Sequence, residues 1–433
     1  MFTLAIIVFV VSLLLIIVDF ADKTVVAVLG ALALMVFGVL SWEEAILAID
    51  FETIALLLGL MLVVAVAQHS GMFGLMNTKI AQISKGNPLA IFVLFLLMTG
   101  LASTVLNNAT VVLLVIPVAI ALSNGLGLNT KLIVIGIALF SNIGGTLTLI
   151  GDPPNTIIGI QAGLSFMSFV KNLWVPILIM TFLIFGYLIL VNWQHLRPIS
   201  NNLSKLVISD LIIKRITYQY SGRGIDKYLV FIALAIILLS LIAFIAQPLI
   251  GLNVGLIGLI SGFIIAILVY KKVHFLELAK EIEWDSLLFF AALFIQVAAL
   301  EKVGFLEMIT QTIASFSGSY VTLLLVIIWG IGLASMFINN IPFVALMIPV
   351  IFDLQEQLAG QPNLDLLWWA LALGACLGGN GTIVGSSSGI LAVDLAKKQG
   401  VKVSFNDFAK VGIPVTIISL AIASLYIVAR VYI

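Results

Sequence analysis

Residues 100–108 read GLASTVLNN, and residues 332–340 read GLASMFINN, 232 positions later. A proline, Pro117 or Pro349, follows each asparagine pair at the same distance. Two more pairs of matching stretches come after them in the same order: IGGTLTLIG (143–151) with LGGNGTIVG (377–385), and SFMSFVK (165–171) with SFNDFAK (404–410). An ordered series of matches at nearly constant spacing indicates a duplicated structural unit.

The composition is that of an integral membrane protein. Of the 433 residues, 62% are hydrophobic and 9% are charged, whereas a soluble domain averages about 25% charged residues. Apolar runs close to the ~20 residues that a helix needs to cross a bilayer recur along the whole chain. The first run has no basic residue before it and no small-residue cleavage site after it, which favours a mature span over a signal peptide.

The sequence offers little support for an enzyme or a nucleic-acid-binding protein. The zinc-protease pattern HExxH, the nucleophile elbow GxSxG and the Walker loop GxxxxGK are absent. The single cysteine excludes a disulfide framework within the chain, and a net charge of zero gives no indication of nucleic-acid binding. We therefore expect no enzymatic activity, no ATP-driven pumping by this chain alone and no nucleic-acid partner, while a separate ATPase subunit stays open.

The duplication divides the chain into a first transmembrane repeat (residues 1–192), a linker (193–227) and a second transmembrane repeat (228–433). Each repeat is predicted to contain five spans, one of them broken at a glycine-rich middle, and two apolar arms around the asparagine pair. Residues 109–123 correspond to about 22 Å of helix, and residues 341–352 to less, whereas a hydrocarbon core is about 30 Å thick. The arms are therefore predicted to form re-entrant hairpins. The predicted fold class is an all-α polytopic membrane protein of two inverted repeats.

The predicted orientation follows from the loop charges. Five crossings per repeat is an odd number, so the second repeat is expected to be inverted relative to the first. With this topology, 17 of the 20 Lys and Arg residues fall on one face, and Lys171, Lys302 and Arg430 fall on the other. The positive-inside rule makes the basic face cytoplasmic. We expect a multi-pass protein of the plasma membrane with both termini outside and the linker inside.

TLIGDPPNTI, residues 148–157, interrupts an apolar run with an acid, two prolines and an asparagine. Because Pro153 and Pro154 have no N–H, the carbonyls of Leu149 and Ile150 are expected to lose their helical partners. Free carbonyls, a carboxylate and an amide are suitable ligands for Na⁺, and the neighbouring glycines are expected to let the backbone unwind. The predicted coupling-ion residues are Gly144, Gly145, Thr146, Leu149, Ile150, Asp152, Asn155, Gly378 and Gly379.

Asp152 is the acid expected to lie deepest in the membrane. Intramembrane acids are costly to bury and are functional by default. Burial favours the protonated form, whereas a bound cation favours the carboxylate, so this residue is predicted to couple transport by binding Na⁺ or carrying H⁺. The alternative is a structural cap on the half-helix that follows.

The second break, GGNGTIVGSSSG at residues 378–389, has neither an acid nor a proline and is rich in hydroxyl groups. Neither break contains a lysine or arginine, so a bulky dianion is expected to find no fixed counter-charge there except helix dipoles. The asparagine pairs either bind substrate or satisfy their own backbone, and Cys376 is interpreted as a packing residue. The predicted substrate-binding residues are Asn107, Asn108, Thr110, Asn339, Asn340, Asn380, Thr382, Ser386, Ser387 and Ser388.

The stretches LNNATVVLLVIPV, GGTLTLIGDPPN, NNIPFVALMIPV and LGACLGGNGTIVGSSSG resemble the ion transporter superfamily, and the resemblance covers nearly the full length. They are similar to the branch that holds ArsB-type arsenite exporters, NhaD-type sodium/proton antiporters and the melanosomal P protein. The resemblance implies hairpin tips and broken helices that meet at a shared site, a homodimer, and elevator-type movement of the hairpin-bearing domain. Relatives that co-transport dicarboxylates with sodium have Ser-Asn-Thr at the tips. Here the tips read Asn-Asn-Ala and Asn-Asn-Ile, which argues against a dicarboxylate.

Together these features favour a secondary active transporter of a small ion, either arsenite-type or another small anion, coupled to H⁺ or Na⁺. A Na⁺/H⁺ antiporter is the alternative, and a channel or a membrane-embedded enzyme fits less well. No cofactor is expected other than Na⁺ or H⁺ as the coupling ion, and no metal beyond Na⁺. The expected partners are the transported ion, the lipid bilayer and a second copy of the chain in a homodimer.

Overall fold

The computed structural model describes residues 1–18, 20–85, 87–196, 226–316 and 318–432. Within these ranges the chain is helical and contains no β-strand, which confirms the all-α fold class. The predicted linker falls largely on residues 197–225, which lie outside the described residues.

Among the described residues, the first half contains ten helices and a short helical turn after them. Several of these helices follow a capping residue whose side chain accepts hydrogen bonds from the N–H groups of the first turn. Asp22, Asp50 and Asn87 are such residues. The elements are α1 (Phe2–Ile17), α2 (Lys23–Val36), α3 (Trp42–Ala48), α4 (Phe51–His69), α5 (Met72–Ser84), α6 (Pro88–Ser103), α7 (Asn108–Leu126), α8 (Thr130–Gly145), α9 (Pro153–Gln161), α10 (Phe166–Val191) and α11 (Trp193–Leu196).

The second half repeats this order of long, short and interrupted helices. A break at residues 146–152 separates α8 from α9, and a break at residues 379–386, which includes a short 3₁₀ turn, separates the matching pair. The elements are α12 (Lys227–Ile250), α13 (Val254–Val269), α14 (Phe275–Lys280), α15 (Trp284–Lys302), α16 (Phe305–Phe316), α17 (Tyr320–Phe337), α18 (Asn340–Gln357), α19 (Leu366–Gly378), α20 (Ser387–Lys398) and α21 (Phe405–Val431).

Many of the described helices have membrane-spanning character. Seven are long and apolar enough to cross a bilayer, judged by length and composition alone, and six shorter helices are also apolar. The seven are α4, α7, α10, α12, α15, α17 and α21. The chain is therefore a multi-pass helical membrane protein.

The helices that follow the asparagine pairs are longer than expected. The sequence placed the arms at residues 109–123 and 341–352, but α7 has 19 residues and α18 has 18. At about 1.5 Å per residue both approach the thickness of a hydrocarbon core. The estimate was wrong because polar residues at the ends continue each helix beyond its apolar run. Helix length therefore gives no support to re-entrant hairpins, which stay a prediction.

The two halves pack on each other reciprocally, so that the second helix of each half contacts the fourth helix of the other. Helices α4 and α13 approach so closely that a Cβ atom built on Gly59 would lie 2.1 Å from the carbonyl oxygen of Gly258. Helices α2 and α15 are joined by a hydrogen bond of 2.9 Å from Thr24 Oγ1 to the carbonyl of Asp285. Small residues at such crossings are the usual way for membrane helices to gain close contact.

Candidate functional site

The break in the first half is held together by side chains from the first turn of α9. Asn155 Nδ2 donates to the carbonyls of Thr146 and Thr148 at 2.8 and 3.0 Å, and Thr156 Oγ1 donates to the carbonyl of Leu149 at 2.8 Å. The prediction that the Leu149 carbonyl is free for Na⁺ was therefore wrong. The prolines do not interrupt a helix, because α8 already ends at Gly145. They occupy the first two positions of α9, where a residue without an N–H group costs no helical hydrogen bond.

The glycines of the breaks allow close approach, and the expectation that Gly144 lets the backbone unwind was wrong. Gly144 in α8 and Gly378 in α19 are both helical, and each faces a neighbouring helix. A Cβ on Gly144 would lie 2.0 Å from the carbonyl oxygen of Gly100, and one on Gly378 would lie 2.4 Å from that of Gly332. The GLAS stretches of α6 and α17 therefore pack directly on the broken helices.

Gly145 and Gly379 serve a related purpose at the ends of the same two helices. A Cβ on Gly145 would lie 2.8 Å from the carbonyl oxygen of Gly151, and one on Gly379 would lie 2.9 Å from that of Gly385. The chain that leaves each helix folds back over its end. Glycine at these positions therefore keeps each break compact.

Asp152 is buried at the position just before α9, with 1% of its surface exposed. Its carboxylate accepts no hydrogen bond from the first turn of α9, so the structure does not support the helix-cap alternative. Asp152 Oδ1 accepts a hydrogen bond of 2.9 Å from Asn108 Nδ2. Among the described residues, Asp152 Oδ2 has no hydrogen-bond partner. A buried carboxylate with one unsatisfied oxygen can take up a proton or a cation.

A chain of buried amides connects this carboxylate to the second break. Asn108 Nδ2 also donates to Asn142 Oδ1 at 2.9 Å, and Asn142 Nδ2 donates to Asn380 Oδ1 at 2.9 Å. Ser388 Oγ donates to Asn142 Oδ1 at 2.7 Å. Asn380 Nδ2 is unpartnered among the described residues. The network thus joins the first asparagine pair to both breaks.

Asn142 is a site residue that the sequence interpretation missed. It lies on α8, three residues before the helix ends, and is 1% exposed. The available signal was the one amide side chain of α8, which follows a long apolar run and lies beside the glycine pair. Cys376 occupies the matching position in the second repeat, and its Sγ lies 3.4 Å from Asn155 Oδ1. The cysteine therefore contacts the first break directly, which goes beyond the packing role predicted for it.

The two residues of each asparagine pair have different positions. Asn107 Oδ1 accepts from the N–H of Ala109 at 2.9 Å, and Asn339 Oδ1 accepts from that of Ile341 at 3.1 Å, so the first asparagine caps the following helix. Asn339 Nδ2 also donates to Ser387 Oγ at 3.3 Å, at the second break of the same half. The first asparagine of each pair therefore satisfies backbone N–H groups at the start of the following helix, whereas Asn108 belongs to the amide network.

Hydroxyl groups stabilise the second break. Thr382 Oγ1 donates to the carbonyl of Met336. Ser386 Oγ lies 3.1 Å from Ser388 Oγ and accepts from the N–H of Gly389 at the start of α20. Thr382 and Ser386 therefore form internal contacts of the break.

A small cavity of about 20 Å³, room for about one water molecule, lies between the two halves and is lined mainly by polar residues; we call it the polar cavity. Of the predicted site residues it brings together five: Asn107, Asn108, Asp152, Asn340 and Ser387. Thr110 and Ile150 instead line a second, mostly apolar cavity of about 30 Å³, which also touches Asn107. The first cavity contains residues of both asparagine pairs and the buried acid, so we take it as the candidate site.

Three polar residues of this cavity were not predicted as site residues: Lys23, Glu283 and Ser286. The two breaks contain no lysine or arginine, but Lys23, from another part of the chain, lines the same cavity. It was missed because it lies at the start of α2, far in sequence from either break. The cavity therefore has one cationic group and two carboxylates among its described residues.

Comparison with known proteins identifies the class of this membrane protein. The family model described as Citrate transporter (CitMHS) matches residues 13–374, so the chain belongs to that family. It is 34% identical to a "46 kDa membrane protein" of Mycobacterium leprae and 33% identical to an "Uncharacterized transporter" of Mycobacterium tuberculosis, with 99% or more of each chain covered. The protein is a transporter and not an enzyme.

Two more distant comparisons are consistent with this assignment. The chain is 31% identical to the P protein of Mus musculus, where the match covers 95% of this chain and 58% of that protein. The crystal structure of the Alcanivorax borkumensis YdaH transporter matches with a TM-score of 0.54 at 17% identity, over 87% of this chain and 85% of that one. The latter similarity supports the fold alone.

Proposed function

We propose that this protein is a secondary active transporter that moves a small anion across the plasma membrane, coupled to H⁺ or Na⁺. The observation that carries the proposal is the Asp152 carboxylate, which lines the cavity between the halves with one oxygen unpartnered among the described residues. A buried charge is costly unless a proton or a cation neutralises it. Loading and release of that proton or cation as the cavity changes sides would couple the two fluxes.

Three further features belong to this proposal. The cavity lies between reciprocally packed halves, which supports two repeats of inverted topology and alternating access from the two faces. An elevator-type movement and a homodimer are carried over from the superfamily resemblance. Both termini would lie outside and the linker inside, as the distribution of basic residues predicts.

A Na⁺/H⁺ antiporter is the second candidate, and a specific observation favours it. Asp152 and Glu283 place two carboxylates in the cavity against one lysine. Lys23 and the amides of the asparagine pairs favour the anion transporter instead, because an ammonium group and amide N–H donors attract an anion. An arsenite-type substrate stays within the proposal.

Flux into proteoliposomes tests the proposal. Purified protein is reconstituted, and uptake of labelled arsenite, phosphate, acetate and citrate is measured under imposed inward H⁺ or Na⁺ gradients. Accumulation of one anion above its equilibrium level supports the proposal, and downhill equilibration alone would indicate a channel. Na⁺-driven proton movement with no anion present would favour the antiporter.

A further inference from the structure

Lys23 is the one basic residue among the described residues that line the polar cavity. It is partly buried and takes part in none of the ion pairs formed between described residues. Its Nζ atom lies 5.7 Å from the centroid of the Phe289 ring, which lines the same cavity. A cation beside an aromatic ring is partly stabilised while its charge stays available to a ligand.

The backbone that carries Lys23 is fixed against the second half of the chain. Besides the hydrogen bond from Thr24 to Asp285, Gln296 Nε2 donates to the carbonyl of Ala27 at 2.7 Å. Both bonds join the first turns of α2 to α15, the helix that supplies Phe289 to the cavity wall. The ammonium group is thus carried on a rigid element, which suits a selective contact with a ligand.

We infer that Lys23 selects the substrate by charge, so that the cavity takes a small monoanion with a carboxylate or oxyanion group. The inference rests on the proposed function, because it names the class of substrate that this same cavity would carry. The ammonium group pairs with the anionic group, and amides from the two hairpin tips, Asn107 and Asn340, lie at the same cavity to donate hydrogen bonds.

The charges around the cavity favour one negative charge over several. A coupling cation bound at Asp152 neutralises that carboxylate, which leaves Lys23 and Glu283 as the charged groups. Ser286 Oγ donates to Glu283 Oε2 at 3.1 Å, and both residues line the cavity. A multiply charged anion would meet one ammonium group and one carboxylate, so repulsion from Glu283 disfavours it.

The electric field at the cavity can be measured without transport. Ser286→Cys is introduced into a Cys376→Ser background, and the purified protein in detergent is treated with the anionic thiol reagent MTSES or the cationic reagent MTSET. The ratio of the two reaction rates reports the local field. Lys23→Gln is expected to lower the MTSES/MTSET ratio about tenfold, because it removes the one cation of the cavity.

Three control variants sharpen the test. Glu283→Gln is expected to raise the ratio, and Lys23→Arg should preserve it. Lys302→Gln should leave it unchanged, since that lysine pairs with Glu44 at 2.6 Å and lines a different cavity. Size-exclusion chromatography checks that every variant is folded.

An unchanged ratio in Lys23→Gln would overturn the inference. A cysteine at position 286 that reacts with neither reagent would also overturn it, because a charged ligand could not then enter. Failure of the proposed function is separable from this result. It would appear as absence of uphill anion flux in wild-type proteoliposomes, a measurement in which the rate ratio plays no part.

Discussion

At the scale of single residues, Asn142 connects the parts of the site. Its amide oxygen accepts from Asn108 and Ser388, and its amide nitrogen donates to Asn380, at distances between 2.7 and 2.9 Å. All four residues are buried. Removing this one side chain would leave three buried partners each short of a hydrogen bond, which makes the network sensitive to a single substitution.

Asn142→Ala is predicted to reduce both stability and transport. Each buried polar group left unsatisfied costs about 1–3 kcal/mol, and the hairpin tip loses its connection to the second break. The measurement is the unfolding midpoint in detergent, together with uphill flux at matched protein levels. Asn192→Ala is the control, because that amide bonds the carbonyl of Leu188, four residues earlier in its own helix. Equal behaviour of the two variants would show that the network is unimportant.

The sequence could identify site residues that differ in polarity from their neighbours along the chain. Asp152 and the asparagine pairs are polar groups in apolar surroundings, and the structure places members of both in one cavity. Asn142 and Lys23 gain their roles from contacts with residues more than 200 positions away, such as Asn380 and Phe289. No local pattern reports such contacts.

At the scale of elements, two features hold the broken helices in place. Glycines allow close contact with neighbouring helices, and polar side chains form hydrogen bonds with the backbone of each break. The sequence predicted where α8 and α19 end, because glycine, proline and polar residues cluster there. It did not predict the reason for the glycines. That reason lies in the opposing helices α6 and α17, whose backbone carbonyls fill the space that a Cβ would need.

Gly144→Ala is predicted to destabilise the fold, since its Cβ would lie 2.0 Å from the carbonyl oxygen of Gly100. Forcing backbone apart in a packed interior typically costs about 1–3 kcal/mol. Thermal unfolding and yield in detergent provide the measurement. Gly186→Ala, in the C-terminal part of α10, is the matched control because no atom lies within 4 Å of the added Cβ. A Gly144→Ala protein as stable as the control would contradict the close packing.

At the scale of the whole molecule, long-range ion pairs agree with the predicted topology. Lys131 pairs with Asp407 at 2.8 Å, and Lys302 pairs with Glu44 at 2.6 Å. Each pair joins two residues that the topology assigns to the same face. The hydrogen bonds from Lys302 also hold the pKa of the Glu44 carboxyl below its ordinary value. Each ion pair places its two residues on the same face of the membrane, and cysteine labelling is needed to identify the cytoplasmic face.

Cysteine labelling assigns the faces. In a Cys376→Ala background, Gln361→Cys is predicted to react with an impermeant maleimide in intact cells, because the loop after α18 is expected outside. Gln399→Cys, in the exposed loop after α20, is predicted to react only after permeabilisation. The opposite pattern would reverse the orientation, and labelling of both in intact cells would contradict the inverted topology.

The central claim is that Asp152 couples the flux of the substrate to the flux of H⁺ or Na⁺. Asp152→Asn keeps the size of the side chain and removes its charge, so the protein should fold and still equilibrate anion down its gradient. The most direct measurement is anion accumulation in proteoliposomes under imposed H⁺ and Na⁺ gradients, with Asp394→Asn as control because that aspartate is exposed on α20. We predict that Asp152→Asn accumulates no anion above equilibrium while the control matches wild type. Accumulation by Asp152→Asn as steep as that of wild type would contradict the claim.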